Sequence, residues 1–98
     1  MTYYVVACYK VSDFERFKAE FDAAQELMRQ GGFVQTILYR NVDDPSQLTV
    51  VHECEDLPKA RDFYKSPQFK ACIAKAGVGE PEITIMEELA RTPHLMGV

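Results

Sequence analysis

The stretch from Phe33 to Glu53 constrains the fold more than any other part of the chain. Two runs rich in β-branched and aromatic residues, Phe33–Arg40 and Leu48–Glu53, flank the reversal Asn41-Val42-Asp43-Asp44-Pro45-Ser46. Asparagine, aspartate and proline favour a turn because they stabilise non-extended backbone locally, and the flanking runs suit a pleated, half-buried surface. The pattern predicts an antiparallel hairpin with Arg40 opposite Leu48, and hence Thr36 opposite His52. Residues of the second strand then alternate between faces, with Val50, His52 and Cys54 on one side and Val51 and Glu53 on the other. The turn fixes this register only to within about one residue, and a slip of one exchanges the faces.

The flanks complete the plan. Tyr3–Tyr9 is aromatic and β-branched and reads as a strand. Ser12 followed by Glu15 forms a capping-box pattern, and Phe14, Phe17, Phe21, Ala24 and Met28 recur at helical spacing up to Gly31-Gly32. Asp56 is placed to cap a short helix carrying Leu57, Ala60, Phe63 and Tyr64. Ser66-Pro67 then starts a further helical segment with an apolar stripe of Phe69, Cys72, Ile73 and Ala76. A loop over Gly77–Pro81 leads to a last strand, Glu82–Leu89. The order strand, helix, strand, strand, broken helix, strand predicts an α+β, ferredoxin-like βαββαβ domain over residues 1–90, with a C-terminal tail over 91–98. Its antiparallel sheet has the order 4-1-3-2 and helices on one face.

Such a sheet ordinarily alternates apolar and polar residues. Here Tyr3, Val5 and Ala7 share one face while Tyr4, Val6 and Cys8 share the other, and both are apolar. Helices cover one face only, so a second copy of the chain is expected on the other, giving a homodimer whose two sheets enclose a space. The net charge of −4 has no basic stripe within it, which argues against a nucleic-acid partner. No apolar run is long enough to span a membrane, and the N-terminal residues lack the pattern of a secretory signal, so a cytoplasmic protein is expected. The cysteines Cys8, Cys54 and Cys72 are odd in number and scattered, as befits reduced thiols.

Four segments resemble the dimeric α/β-barrel proteins of the antibiotic-biosynthesis-monooxygenase type: VSDFERFKAEFD after the first strand, YRNVDDPSQLTVVHECED around the hairpin, ARDFYKSPQFK in the broken helix and GEPEITIMEEL at the end. The resemblance runs from Tyr3 to about Glu88. It implies the barrel dimer and a range of activities that includes cofactor-independent monooxygenases, lactone isomerases, polyketide cyclases and haem-degrading enzymes. Monooxygenase members commonly carry a tryptophan where the third strand ends. This chain has no tryptophan, and Cys54 stands at about that place. Because that family position faces the cavity, the resemblance implies that His52, Cys54 and Thr36 face the space between the sheets.

His52 is the residue best suited to chemistry, since imidazole titrates near neutrality and can take a proton from a phenol or an activated carbon acid. A histidine at a strand end is as readily a structural one, bonded to backbone or to a tyrosine. Thr36, Cys54, Tyr4 and Tyr64 are the expected ligand-binding residues, the tyrosines for gripping a polar aromatic molecule. Cys54 reads as a small apolar residue before it reads as a nucleophile. His52 and Cys54 lack a third metal ligand nearby in sequence, His94 lying in the tail after Pro93, so no metal site is expected. The expected function is a homodimeric, small-molecule-binding barrel protein with no cofactor: a monooxygenase, isomerase or cyclase acting on a small aromatic or polyketide-like substrate with His52 as general base. The alternative is a ligand-binding or structural dimer without turnover.

Overall fold

The structure, a computed structural model, describes residues 1–95. It contains β1 (Tyr3–Lys10), α1 (Phe14–Ala23), α2 (Gln25–Gln30), β2 (Phe33–Arg40), β3 (Gln47–Cys54), α3 (Leu57–Lys65), α4 (Pro67–Ala76) and β4 (Glu82–Glu87). The strands form one antiparallel sheet in the order β2-β3-β1-β4, the expected ferredoxin-like arrangement. The hairpin register is also as read, with Arg40 opposite Leu48 and Thr36 opposite His52.

Local chemistry sets the helix ends. α3 begins at Asp56, whose carboxylate accepts from the Lys59 amide at 3.0 Å. α4 begins at Ser66, whose hydroxyl accepts from the Phe69 amide at 3.1 Å, with Pro67 in the first turn. α1 differs from expectation. Its cap is Asp13, accepting from the Arg16 amide at 3.1 Å, so the predicted capping box at Ser12 does not form. A carboxylate one residue closer to the first turn displaces the serine as acceptor and also favours the positive helix end. The helix is interrupted at Ala24, which separates α1 from α2. Beyond α2, Gly32 takes φ +84° and turns the chain into β2.

The core lies between the sheet and the helices. Val5, Ala7 and Tyr9 of β1 and Leu48, Val50, His52 and Cys54 of β3 are all buried against Phe17, Met28, Ala60, Phe63, Tyr64 and Phe69. This corrects the expected face assignment. The set containing Val50, His52 and Cys54 faces the chain's own helices, not a space between two sheets. The reason is packing: the register puts Val5, Ala7 and Tyr9 beside His52, Val50 and Leu48, and that row is the one the phenylalanines of α1, α3 and α4 fill. The other face is open. Across it run Ile37, Val51, Val6 and Thr84; then Gln35, Glu53, Tyr4 and Met86; then Tyr39, Thr49, Cys8 and Glu82. Ile37, Tyr39 and Met86 are 37%, 51% and 50% exposed, which is the unpartnered apolar face the sequence foretells.

A β-bulge at Val34 positions the site. Phe33 opposes Cys54 and Gln35 opposes Glu53, so residues two apart in β2 face neighbours in β3. A bulge inserts one unpaired residue and re-aims the side chains around it. Phe33 thereby turns to the helix face and is buried, while Val34 is left 66% exposed. At the other side of the helix layer, the Arg16 guanidinium donates to the carbonyl of Lys75 at 2.7 Å and to that of Ala74 at 3.5 Å, capping the C-terminus of α4. Gly77 follows with φ +73°, and a Cβ there would meet that guanidinium at 2.7 Å. Of the tail, residues 96–98 lie outside the described part. His94 is exposed. Among the described residues, no helix is long and apolar enough to cross a membrane.

Candidate functional site

His52 is 2% exposed near the end of β3. Its Nδ1 and the Thr36 hydroxyl on the neighbouring strand are 2.8 Å apart, a hydrogen bond that the hairpin register makes possible. Its ring stacks on Phe33 with centroids 3.9 Å apart and planes at 8°, and meets Phe63 and Tyr64 at 6.0 and 5.9 Å. Burial among these rings pushes its pKa down to about 4, because the charged imidazolium loses its water and gains no counter-charge. At neutral pH the ring is therefore uncharged. Nε2 has no hydrogen-bond partner among the described residues.

A cavity of about 50 Å³ lies between the helices and the sheet, with His52, Val50 and Tyr9 at its floor. Phe17, Glu20, Phe21, Leu27 and Met28 line it from the α1–α2 side, and Phe63, Phe69, Cys72, Ile73 and Ala76 from the α3–α4 side. Glu20 is its one carboxylate, and no lysine or arginine lines it. A wider groove of about 420 Å³ at the far strand ends has Lys10, Asp44, Glu80 and Glu82 on its walls. Those are exposed surface charges. The smaller, apolar cavity beside the buried imidazole is the better candidate, since ligand sites are mostly apolar with few placed polar groups.

The five expected site residues do not come together as one set. His52, Thr36, Cys54 and Tyr64 are on the helix side of the sheet. Tyr4 is on the open face, where its hydroxyl donates to Glu53 Oε1 at 3.2 Å and accepts from Arg91 at 2.7 Å. It is separated from His52 by the sheet itself. Cys54 is fully buried, and its thiol pKa is raised by burial and then by Asp56, so the thiol stays protonated and His52 does not activate it. Tyr64 packs on the His52 ring rather than on the cavity, and its hydroxyl is buried without a partner among the described residues. Burial raises its pKa as well. Sequence reasoning missed Phe33, because the bulge that aims it leaves no pattern in a single strand. It missed Glu20 as well, because the residue sits among the charged positions of an amphipathic helix. Among the described residues, no group of three or more His, Cys, Asp or Glu is placed to hold a metal ion.

The sequence matches the antibiotic biosynthesis monooxygenase family over residues 3–75. The chain belongs to that family. The solved structures agree on the fold. SnoaB, a cofactor-independent oxygenase from Streptomyces nogalater, is 19% identical with a TM-score of 0.77, covering 95% of this chain and 98% of its own. A conserved protein from Methanosarcina mazei is 21% identical with a TM-score of 0.73, covering 90% and 93%. A Bordetella bronchiseptica protein is 22% identical with a TM-score of 0.77, covering 91% and 98%. A search of curated protein sequences finds no match.

Proposed function

We propose that this family member is a homodimeric enzyme that works without a bound cofactor on a small aromatic or polyketide-like molecule, as a monooxygenase, isomerase or cyclase, with His52 as the proton acceptor. The observation that carries the reading is a single imidazole, bonded to Thr36, at the floor of a largely apolar cavity whose one carboxylate is Glu20. When Nδ1–H donates to Thr36, Nε2 keeps its lone pair and is the acceptor a general base needs. The low pKa reflects burial alone. Negative charge developing on a bound phenol or carbon acid raises it again, because an adjacent anion favours the imidazolium. Basicity is thus greatest where the transition state requires it. SnoaB, a cofactor-independent oxygenase with the same fold, supports the reaction class.

The second copy is expected on the open sheet face, through Ile37, Val51, Val6, Tyr39 and Met86, because that face is apolar and uncovered. The family supports the dimer, and light scattering at micromolar concentration tests it.

His52→Asn tests the chemistry. Asparagine retains a group able to bond Thr36 while removing Nε2. Oxygen uptake and product formation would be followed over a panel of naphthols and anthrones. A turned-over substrate should lose about 10²–10⁴-fold in rate with this variant, the usual worth of a general base. Unchanged turnover with His52→Asn overturns the role. A second reading, a packed dimer without turnover, is favoured by the cavity volume of about 50 Å³, well below the roughly 300 Å³ at which ligand pockets begin. Absence of binding by every panel member would establish that reading instead.

A further inference from the structure

The charge balance of the cavity wall goes further than its shape. Glu20 lines the cavity from α1 and is half-buried. It takes part in no ion pair among the described residues. Arg16, one turn earlier on the same side of α1, holds its guanidinium on the carbonyls of Lys75 and Ala74 at the end of α4. His52 at the floor carries no charge at neutral pH. Among the residues that line the cavity, Glu20 carries the one formal charge, and that charge is negative.

We infer that Glu20 is a specificity-determining residue that restricts the pocket to uncharged ligands, so that a hydroxylated aromatic molecule is admitted and its carboxylate counterpart is rejected. This rests on the cavity being the ligand site. Apolar walls give a ring its affinity, and the one charge of the lining, Glu20, sets which sign of ligand charge is disfavoured. A ligand carboxylate in the cavity loses water on its apolar side and meets Glu20, with no lysine or arginine in the lining to pair with it. A hydroxyl in the same place donates to Glu20 instead. With the discount for a half-exposed carboxylate, the discrimination is about tenfold at low ionic strength and shrinks with salt.

The probes are 4-hydroxybenzyl alcohol and 4-hydroxybenzoate, which share ring and phenol and differ in the charge of one substituent. Each is titrated into the wild-type protein and into Glu20→Gln at pH 7.5, with amide chemical shifts of α1 and β3 as the readout. The wild type should bind the alcohol about tenfold more tightly than the benzoate. Glu20→Gln should close that gap by tightening the benzoate, leaving the alcohol within about twofold, since glutamine keeps the size and an acceptor oxygen. Equal affinities in the wild type, or a preference that survives in Glu20→Gln, overturn charge selection while leaving the pocket as a ligand site. Binding of neither probe to the wild type overturns the pocket and the inference together.

Discussion

The buried imidazole makes a quantitative claim about acid stability. His52 has a pKa of about 4 in the folded chain and about 6.5 when unfolded. The folded value is the lower one, so between these limits the unfolded chain binds more protons and folding weakens as pH falls. The full difference amounts to about 3 kcal/mol, present above pH 6.5 and gone by pH 4. Between pH 7 and pH 5 the loss is about 2 kcal/mol, a large share of the roughly 5–15 kcal/mol that holds a domain together. At about 4–8 °C per kcal/mol for a chain this size, the melting temperature should fall by about 8–16 °C over the same range. Urea unfolding followed by circular dichroism at pH 7, 6 and 5 measures it. His52→Asn separates it from carboxylate effects, because every other titrating group is common to both proteins. The wild type should lose about 2 kcal/mol more than the variant on going from pH 7 to pH 5. Parallel pH profiles for the two proteins would refute the argument, since His52 would then be taking up its proton within the folded state.

The same value governs rate. If His52 is the base, kcat/KM should stay level from pH 7 down to about pH 5 and fall near pH 4, and an acid limb near 6.5 in the pH–rate profile would contradict it. Asp13→Ala should destabilise the chain by about 1 kcal/mol in urea titrations, and Ser12→Ala by much less, because Asp13 holds the Arg16 amide. Phe17→Ala should cost about 3–5 kcal/mol by the same assay, since Phe17 packs on Tyr9 and Phe21 and is 5% exposed. Ile37→Glu on the open face should yield a folded monomer by light scattering, whereas Val50→Glu, in the core, should prevent folding because an unpaired buried carboxylate costs several kcal/mol.

The parts of the fold legible in the sequence are those where local chemistry and periodicity agree. The hairpin turn, the caps at Asp56 and Ser66, and the phenylalanine spacing of α1 each act over a few residues, and each stands in the structure as read. The face assignment was not legible. Both rows of β1 and β3 are apolar, so composition cannot say which row meets the helices, and the register alone leaves the choice open. The pairing Thr36–His52 follows from the register in either case, and it is correct. Its surroundings depend on which row the helices fill. Tyr4 is the converse: a residue plausible by type that alternation puts behind the sheet. The bulge at Val34 is invisible for a different reason, since a strand with an extra residue reads like any other until its partner is laid beside it.

That bulge links the architecture to the chemistry. Without it, Phe33 would share the open face with Gln35, and His52 would lose the ring that stacks on it at 3.9 Å. An imidazole less enclosed would keep a pKa nearer 6.5 and be partly protonated at neutral pH. The extra residue thus helps hold His52 uncharged, while the hairpin register opposite the turn brings Thr36 to its ring. The cavity lies on the helix side of the sheet, while the row expected to meet a second copy is on the other side. Assembly on that face is therefore expected to leave the cavity unchanged. A variant of the open face that remains folded as a monomer should keep its cavity and its affinity for an uncharged phenol, and loss of that affinity would show that a second copy shapes the pocket through the sheet.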